Sequence, residues 1–214
     1  LWAQGRVNST FSRYSRVRSM TGMTGAEAAR RLLNAQGIYD VTVQQIAGEL
    51  TDHYDPRTKT VNLSQSVYGA TSVAAIGVAA HECGHAMQDN EGYAPLRFRS
   101  ALVPVANFGS SLSWPLILLG LVFGGLGSPL VEIGILMFSL AVLFQLVTLP
   151  VEYNASARAV RLLDAQGILA GEEVNGTRKV LNAAALTYVA AAATSILQLL
   201  RLIILFGGRN RRDR

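Results

Sequence analysis

Long apolar stretches dominate the second half of the chain. No charged residue lies between Arg99 and Glu132, and residues 133–151 are again uncharged up to Glu152. A membrane-spanning helix needs about 20 apolar residues, so both stretches predict spanning helices, with the glycine-rich segment 124–129 as the turn. A buried helical hairpin in a soluble core is the alternative.

The first half of the chain alternates short amphipathic and polar segments. Thr24 and Glu27 form a capping-box pattern, which predicts a helix that ends at Gly37. Thr71 or Ser72 can cap the start of another helix, rich in alanine, that is predicted to end near Asn90. Between these two helices we expect strands over 40–47, 50–54 and 60–63, the last two joined by a turn at 55–59, and a short helix capped by Ser64.

Beyond the second apolar stretch the chain becomes polar and helical again. Glu152 is expected to begin a helix just after Pro150, because proline favours the first helical position.

The whole chain is expected to divide into five segments. These are an interfacial segment 1–19 that fits the end of a membrane helix, a domain 20–98, a membrane hairpin 99–150, a helix and polar loop 151–180, and an apolar, membrane-inserted helix with a basic tail 181–214.

Composition agrees with a membrane protein. The chain is 50% hydrophobic and 15% charged, whereas a soluble domain has about 25% charged residues. The net charge of +5 comes largely from arginines near both ends, which is typical of membrane-edge residues. No aromatic-basic pattern accompanies them, so we expect a lipid bilayer and no nucleic acid as partner. Cys83 is the single cysteine, which excludes an intrachain disulfide.

The candidate chemistry lies in the alanine-rich helix, at His81-Glu82-Cys83-Gly84-His85. Histidines four residues apart share one face of a helix and can reach one metal ion. Glu82 lies beside that face, where it suits a general base acting on a water that the metal activates. Cys83 points away and is expected to be a buried, inert thiol. Two surface histidines at this spacing by chance are the plain alternative.

A catalytic zinc needs a third protein ligand and an open position. Glu91 has the spacing of the third ligand in H-E-x-x-H-x-x-G-x-x-H proteases, but Gln88 stands where that pattern has glycine. Glu152, on a helix after the hairpin, is the other candidate.

Several motifs resemble one known family, the neutral zinc metallopeptidases of bacterial membranes (the YugP-like group). The chain has TGAE at 24–27, DHYDPR at 52–57, AAHECGHA at 79–86, LRFRSALVP at 96–104 and LPVEYNAS at 149–156. The resemblance implies a membrane-embedded, gluzincin-like zinc metalloendopeptidase with His81, His85 and Glu152 as zinc ligands. The chain is more distantly similar to HtpX/Ste24-type membrane proteases, which carry aspartate where Ser156 stands. Because a ligand histidine needs an acceptor for its second N–H group, Asn154, Ser156 or a carbonyl is expected to provide one.

Together, these expectations give one interpretation of the sequence. The fold class is α+β, mostly helical, with a zincin-like domain and small sheet interrupted by a transmembrane helical hairpin. We expect the protein to hydrolyse peptide bonds of peptides or proteins, membrane proteins included, through a zinc-activated water with Glu82 as general base. His53 is a candidate donor to the transition-state oxyanion, and the strand through Leu63 a candidate for pairing with substrate. The alternative function is a non-catalytic membrane scaffold that zinc stabilises.

Location follows from the same features. Two spans separate 20–98 from 152–178, so both segments share one side of a multi-pass cell-membrane protein. The flanking arginines favour the cytoplasmic side, although a full last span would then put the basic tail outside.

Overall fold

The computed structural model describes residues 2–125 and 128–206. The predicted basic tail and part of the predicted turn at 124–129 lie outside these residues. The fold is mostly helical, with one small sheet. Its elements are α1 (Trp2–Tyr14), α2 (Gly25–Ala35), β1 (Thr42–Ile46), β2 (His53–Asp55), β3 (Thr60–Ser64), α3 (Gln65–Tyr68), α4 (Val73–Asn90), α5 (Ala94–Gly124), α6 (Pro129–Ala165) and α7 (Glu172–Phe206).

The chain divides into two compact units. Unit 1 contains Leu1–Leu96 and Val151–Thr187, and unit 2 contains Arg97–Pro150 and Tyr188–Arg214. Unit 1 therefore takes α6 only from Val151 onward and α7 only as far as Thr187.

The core of unit 1 surrounds α4, which is buried on nearly all sides. Small residues such as Ala75, Ala79 and Ala80 are fully buried and let neighbouring elements approach the helix closely. Of the two caps that the sequence offered, Ser72 is the one used: it caps the start of α4 by accepting a hydrogen bond from the backbone N–H of Ala75. Apolar residues of α2, β3, α6 and α7 complete this core.

The start and stop signals of α2 work as predicted. Thr24 accepts from the backbone N–H of Glu27, and the Glu27 carboxylate accepts from the backbone N–H of Thr24, which completes the capping box. These hydrogen bonds hold the pKa of Glu27 below its usual value. The chain leaves α2 at Gly37 and α6 at Gly167, both with positive φ (70° and 60°) that glycine adopts without strain.

The sheet has the strand order β1-β3-β2. β3 pairs in parallel with β1 (Thr42 with Thr60) and in antiparallel fashion with β2 (His53 with Asn62). The predicted turn before β3 is therefore confirmed. The expectation that the strand through Leu63 accepts substrate at an edge is wrong, because both edges of β3 are already paired. β2 also starts later than predicted, since Leu50 has a φ of 56°, which a strand does not allow.

Two helix boundaries differ from the predictions. Pro150 lies inside α6 and does not begin a helix, so Glu152 stands in the middle of a 37-residue helix. α7 already begins at Glu172, within the predicted polar loop. Prolines also lie inside α5, at Pro104 and Pro115. Long apolar helices tolerate internal proline because neighbouring groups satisfy the freed carbonyl.

Unit 2 is a set of apolar helical segments held closely by small residues. A Cβ added at Gly109 of α5 would lie 2.6 Å from the carbonyl oxygen of Met137 in α6, so these backbones touch. Gln145 of α6 donates to Ser195 of α7 at 3.2 Å. α5, α6 and α7 are all long and apolar enough to cross a membrane, and fewer than a third of the residues in each apolar window are buried inside the protein (28%, 17% and 11%). The predicted hairpin thus corresponds to α5 and α6 and the predicted last helix to α7, and all three are candidate membrane spans.

Candidate metal centre

Three side chains of unit 1 converge at the middle of α4. His81 and His85 come from α4 and Glu152 from α6, and their candidate ligand atoms all lie within 4.8 Å of one another. Glu152 Oε2 is 3.2 Å from Nε2 of His81 and 3.6 Å from Nε2 of His85. The two imidazole rings meet edge to face, with centroids 4.8 Å apart. The structure thus brings together two nitrogen donors and one carboxylate, which could bind a metal ion.

Glycine 84 explains how α6 comes so close. A Cβ at this position would lie 2.6 Å from the carbonyl oxygen and 3.0 Å from Cα of Ala155. No side chain other than hydrogen fits against that backbone. Gly84 lies between the two histidines, and Ala155 is three residues after Glu152, so the contact brings both sets of side chains together.

Each histidine has a partner for its second ring nitrogen. The Ser156 hydroxyl lies 3.1 Å from Nδ1 of His81, as one of the sequence-based options proposed. Nδ1 of His85 lies 3.0 Å from Oε1 of Gln88, a partner that sequence reasoning missed. With Nδ1–H donating to these oxygens, both Nε2 atoms are left to face Glu152.

Gln88 is itself held firmly. It is fully buried, and its Nε2 donates to the carbonyl oxygen of Val151 at 2.9 Å and to Oδ1 of Asn154 at 3.0 Å. Asn154 also accepts from Nε of Arg158 at 2.7 Å. The sequence offered one indication that Gln88 could be the partner of His85: it is a polar residue three positions after His85 on a helix with little other polarity.

Glu91 lies outside the cluster and has another partner. Its carboxylate accepts from Nη1 of Arg158 at 2.6 Å, and this hydrogen bond lowers the pKa of Glu91. Arg158 therefore links Glu91 at the end of α4 to Asn154 and, through Gln88, to His85.

Glu82 is buried beside the cluster and close to His85. In the described part of the chain, no group forms a hydrogen bond with the Glu82 carboxylate, so its oxygens remain available to a water molecule. Burial lowers the pKa of His85, but the Glu152 and Glu82 carboxylates more than offset this and leave that pKa above its ordinary value.

Cys83 faces the opposite direction, as expected. Its thiol is fully buried, donates to the carbonyl oxygen of Ala29 in α2 at 3.6 Å, and has its pKa raised well above the usual range by burial. Such a thiol is a poor metal ligand and nucleophile.

The structure does not bring His53 into the cluster of His81, His85 and Glu152. His53 is exposed on β2, with Nδ1 2.8 Å from the carbonyl oxygen of Thr51 and Nε2 3.2 Å from Nδ2 of Asn62. The neighbouring Tyr54 donates to Asp89 at 2.9 Å, and burial together with this carboxylate raises the pKa of Tyr54. Tyr54 thus joins β2 to the end of α4.

Comparison with known proteins defines the class. The chain matches the model of the family described as "Putative neutral zinc metallopeptidase" over residues 1–207, and it belongs to that family. It is 50% identical over 205 residues to the "Putative membrane protease YugP" of Bacillus subtilis (strain 168), covering 96% of this chain and 90% of that protein. No solved structure matches the chain.

The close contact at Gly84 generates a first prediction. Gly84→Ala should push α6 away from α4, lower the melting temperature in detergent, and weaken zinc binding by about 10–100-fold, the usual effect of disturbing the support of ligands. Zinc affinity is measured by competition with a coloured chelator. The control is Gly69→Ala, because a Cβ at Gly69 meets nothing within 4 Å. Wild-type zinc affinity in Gly84→Ala would show that this contact does not position the site.

Proposed function

We propose that the protein is a membrane-embedded zinc metalloendopeptidase, with His81, His85 and Glu152 as zinc ligands and Glu82 as general base. The observation that carries this proposal is that His81, His85 and Glu152 each offer a ligand atom within 4.8 Å of the others, with both Nε2 atoms near Glu152 Oε2. Two histidines with one glutamate are a donor set typical of catalytic zinc, which uses three protein ligands and leaves one position open. The donor set therefore fits the metal that the family name implies.

The surroundings of α4 support a zincin-like, gluzincin-type arrangement. The helix with both histidines contacts the small sheet, and a second helix contributes the carboxylate. The hydrogen bonds that Nδ1–H of each histidine donates to the Ser156 hydroxyl oxygen and to Oε1 of Gln88 support the ring orientations that a zinc site needs.

In the proposed mechanism, the bound metal and Glu82 together catalyse peptide hydrolysis. When bound, zinc polarises the substrate carbonyl and lowers the pKa of water to about 7. Glu82 accepts the proton of the attacking water and then delivers it to the leaving amine. Among the described residues no group donates a hydrogen bond to the Glu82 carboxylate, so its oxygens are available to accept from the attacking water.

Substrates are proposed to be peptides or proteins, membrane proteins included. An extended substrate would have to pair with β1 or β2, since these are the edge strands of the sheet. His53 lies on β2 and stays a candidate oxyanion donor, which requires the β2 segment to approach the bound substrate.

The second prediction tests separately the roles proposed for Glu82 and His53. Glu82→Gln should retain zinc and lose about 10²–10⁴-fold in turnover, because proton transfer is removed while the ligands stay. His53→Ala should retain zinc and lose turnover to a smaller extent. Cleavage of casein and bound zinc are measured on purified full-length protein. Loss of zinc in Glu82→Gln, or wild-type cleavage by either variant, would refute the role assigned to that residue. Zinc without any cleavage in the wild type would favour the scaffold function.

The third prediction compares two carboxylates of equal size and charge. Glu152→Gln should lower zinc affinity at least about 100-fold and abolish cleavage, because it removes a ligand. Glu91→Gln should keep zinc and activity, since Glu91 contacts Arg158 and not the cluster. Both variants lose one negative charge, so a general electrostatic effect would change them alike. Zinc retained in Glu152→Gln and lost in Glu91→Gln would reverse the assignment.

We propose that unit 1 lies on one side of the membrane, on the cytoplasmic side according to the flanking arginines, with α5, α6 and α7 as spans.

The fourth prediction tests this topology with single cysteines placed at the exposed positions Thr58 and Glu172 of a Cys83→Ala variant. The two cysteines should react alike with a maleimide that does not cross the membrane. Both should be protected in intact cells and label after permeabilisation. Opposite reactivity would exclude a shared side, and labelling of both in intact cells would place unit 1 outside.

A further inference from the structure

A basic groove in unit 1 stands apart from the metal centre. It has a volume of about 740 Å³ and is lined by residues of α1, α6 and α7. Three cationic side chains face it, Arg6 and Arg13 from α1 and Lys179 from α7. Neutral hydrogen-bonding groups line it as well, namely Ser9, Thr10, Tyr14, Tyr153 and Asn182. The lining contains no carboxylate.

The three cations have no acidic partner among residues 2–125 and 128–206. Arg6 and Arg13 instead lie over aromatic rings, 5.9 Å from the Trp2 centroid and 5.6 Å from the Tyr14 centroid. Three like charges around one cavity repel one another, and an anion would remove that cost. Two guanidinium groups and an ammonium with hydroxyl donors are the groups that bind phosphate in proteins.

The groove is fixed in shape by close packing at one end. A Cβ at Gly176 of α7 would lie 2.7 Å from the ring of Tyr14 in α1. This contact holds α1 against α7, so that Arg13 and Lys179 line the same groove even when no ligand is bound.

The apolar part of the lining indicates which kind of molecule carries the phosphate. Ala183 and Leu186 of α7 line the groove with apolar surface, and α7 continues from there to Phe206 as a candidate membrane span. Trp2, in α1, is 69% exposed, as expected for a tryptophan at a membrane interface. The volume is also several times what one phosphate needs and suits a larger ligand.

We propose that this groove binds the headgroup of an anionic phospholipid, with the phosphate near Arg6, Arg13 and Lys179 and acyl chains along the apolar wall. Basic pockets next to membrane helices bind acidic lipid headgroups in this way. Tyr153 lines the groove and directly follows Glu152 in α6, so the lipid would lie against the helix that provides the third candidate ligand.

The fifth prediction tests this site with short-chain lipids added to the purified full-length protein in neutral detergent. Dioctanoyl phosphatidylglycerol should raise the melting temperature in a saturable way, whereas dioctanoyl phosphatidylcholine and inorganic phosphate should have little effect. The double variant Arg13→Gln/Lys179→Gln should bind phosphatidylglycerol at least about tenfold more weakly, because two charges near the phosphate are lost.

The matched control is Arg178→Gln, next to Lys179 in sequence. Arg178 lines a neighbouring cavity that contains Asp164, so its loss should leave lipid affinity unchanged. Equal binding of both lipids, an unaffected double variant, or the same loss in Arg178→Gln would overturn the proposal. Phosphate binding as tight as that of phosphatidylglycerol would show an ion site and overturn the lipid assignment.

A second measurement does not depend on the folding of a variant. In the wild-type protein, acylation of Lys179 by an amine-reactive ester, followed by mass spectrometry of peptides, should slow when phosphatidylglycerol is present and not with phosphatidylcholine. Unchanged modification of Lys179 at saturating phosphatidylglycerol would exclude the headgroup from this groove.

Discussion

The backbone contact between Gly84 and Ala155 is the constraint on which the site depends. It lets α6 approach α4 so closely that a carboxylate 71 positions away in sequence, Glu152, comes within 3.2 Å of His81. Any larger side chain at residue 84 would separate the two helices. The glycine inside the H-E-x-x-H sequence is therefore a packing requirement, whereas the roles proposed for the two histidines and Glu82 are chemical.

The same contact places a hydrogen-bonded network that supports His85. Gln88 occupies a fully buried position and joins His85 to Val151 and Asn154, and Arg158 continues the network to Glu91. A buried amide is costly unless its donors and acceptors are paired, and here they are paired with groups of α4 and α6 alone. The rigidity of the histidine rings thus follows from the packing of these two helices, which is why a single residue at their contact influences the whole centre.

Local sequence signals predicted the local features of the fold. The capping box at Thr24 and the glycine end of α2 depend on neighbouring residues only and are confirmed, and of the two candidate caps of α4 the structure uses Ser72. The role of Pro150 was misjudged, because proline begins helices in water but also lies inside long apolar helices. Gln88 could not be assigned from sequence, since its partners at Val151 and Asn154 are brought there by tertiary packing. The sequence favoured Glu152 over Glu91, because Gln88 stands where the pattern that would use Glu91 has glycine, and in the structure Glu152 lies beside the two histidines whereas Glu91 contacts Arg158.

The central claim is that two imidazoles of α4 and one carboxylate of α6 hold a zinc ion. X-ray absorption spectroscopy of the zinc-loaded protein tests it most directly, because scattering from imidazole rings and from sulfur differ in a recognisable way. We expect nitrogen and oxygen ligands at about 2.0–2.1 Å from the zinc, with two imidazole contributions and no sulfur. A zinc–sulfur distance of about 2.3 Å, which Cys83 alone could provide in this chain, or a single imidazole contribution would contradict it.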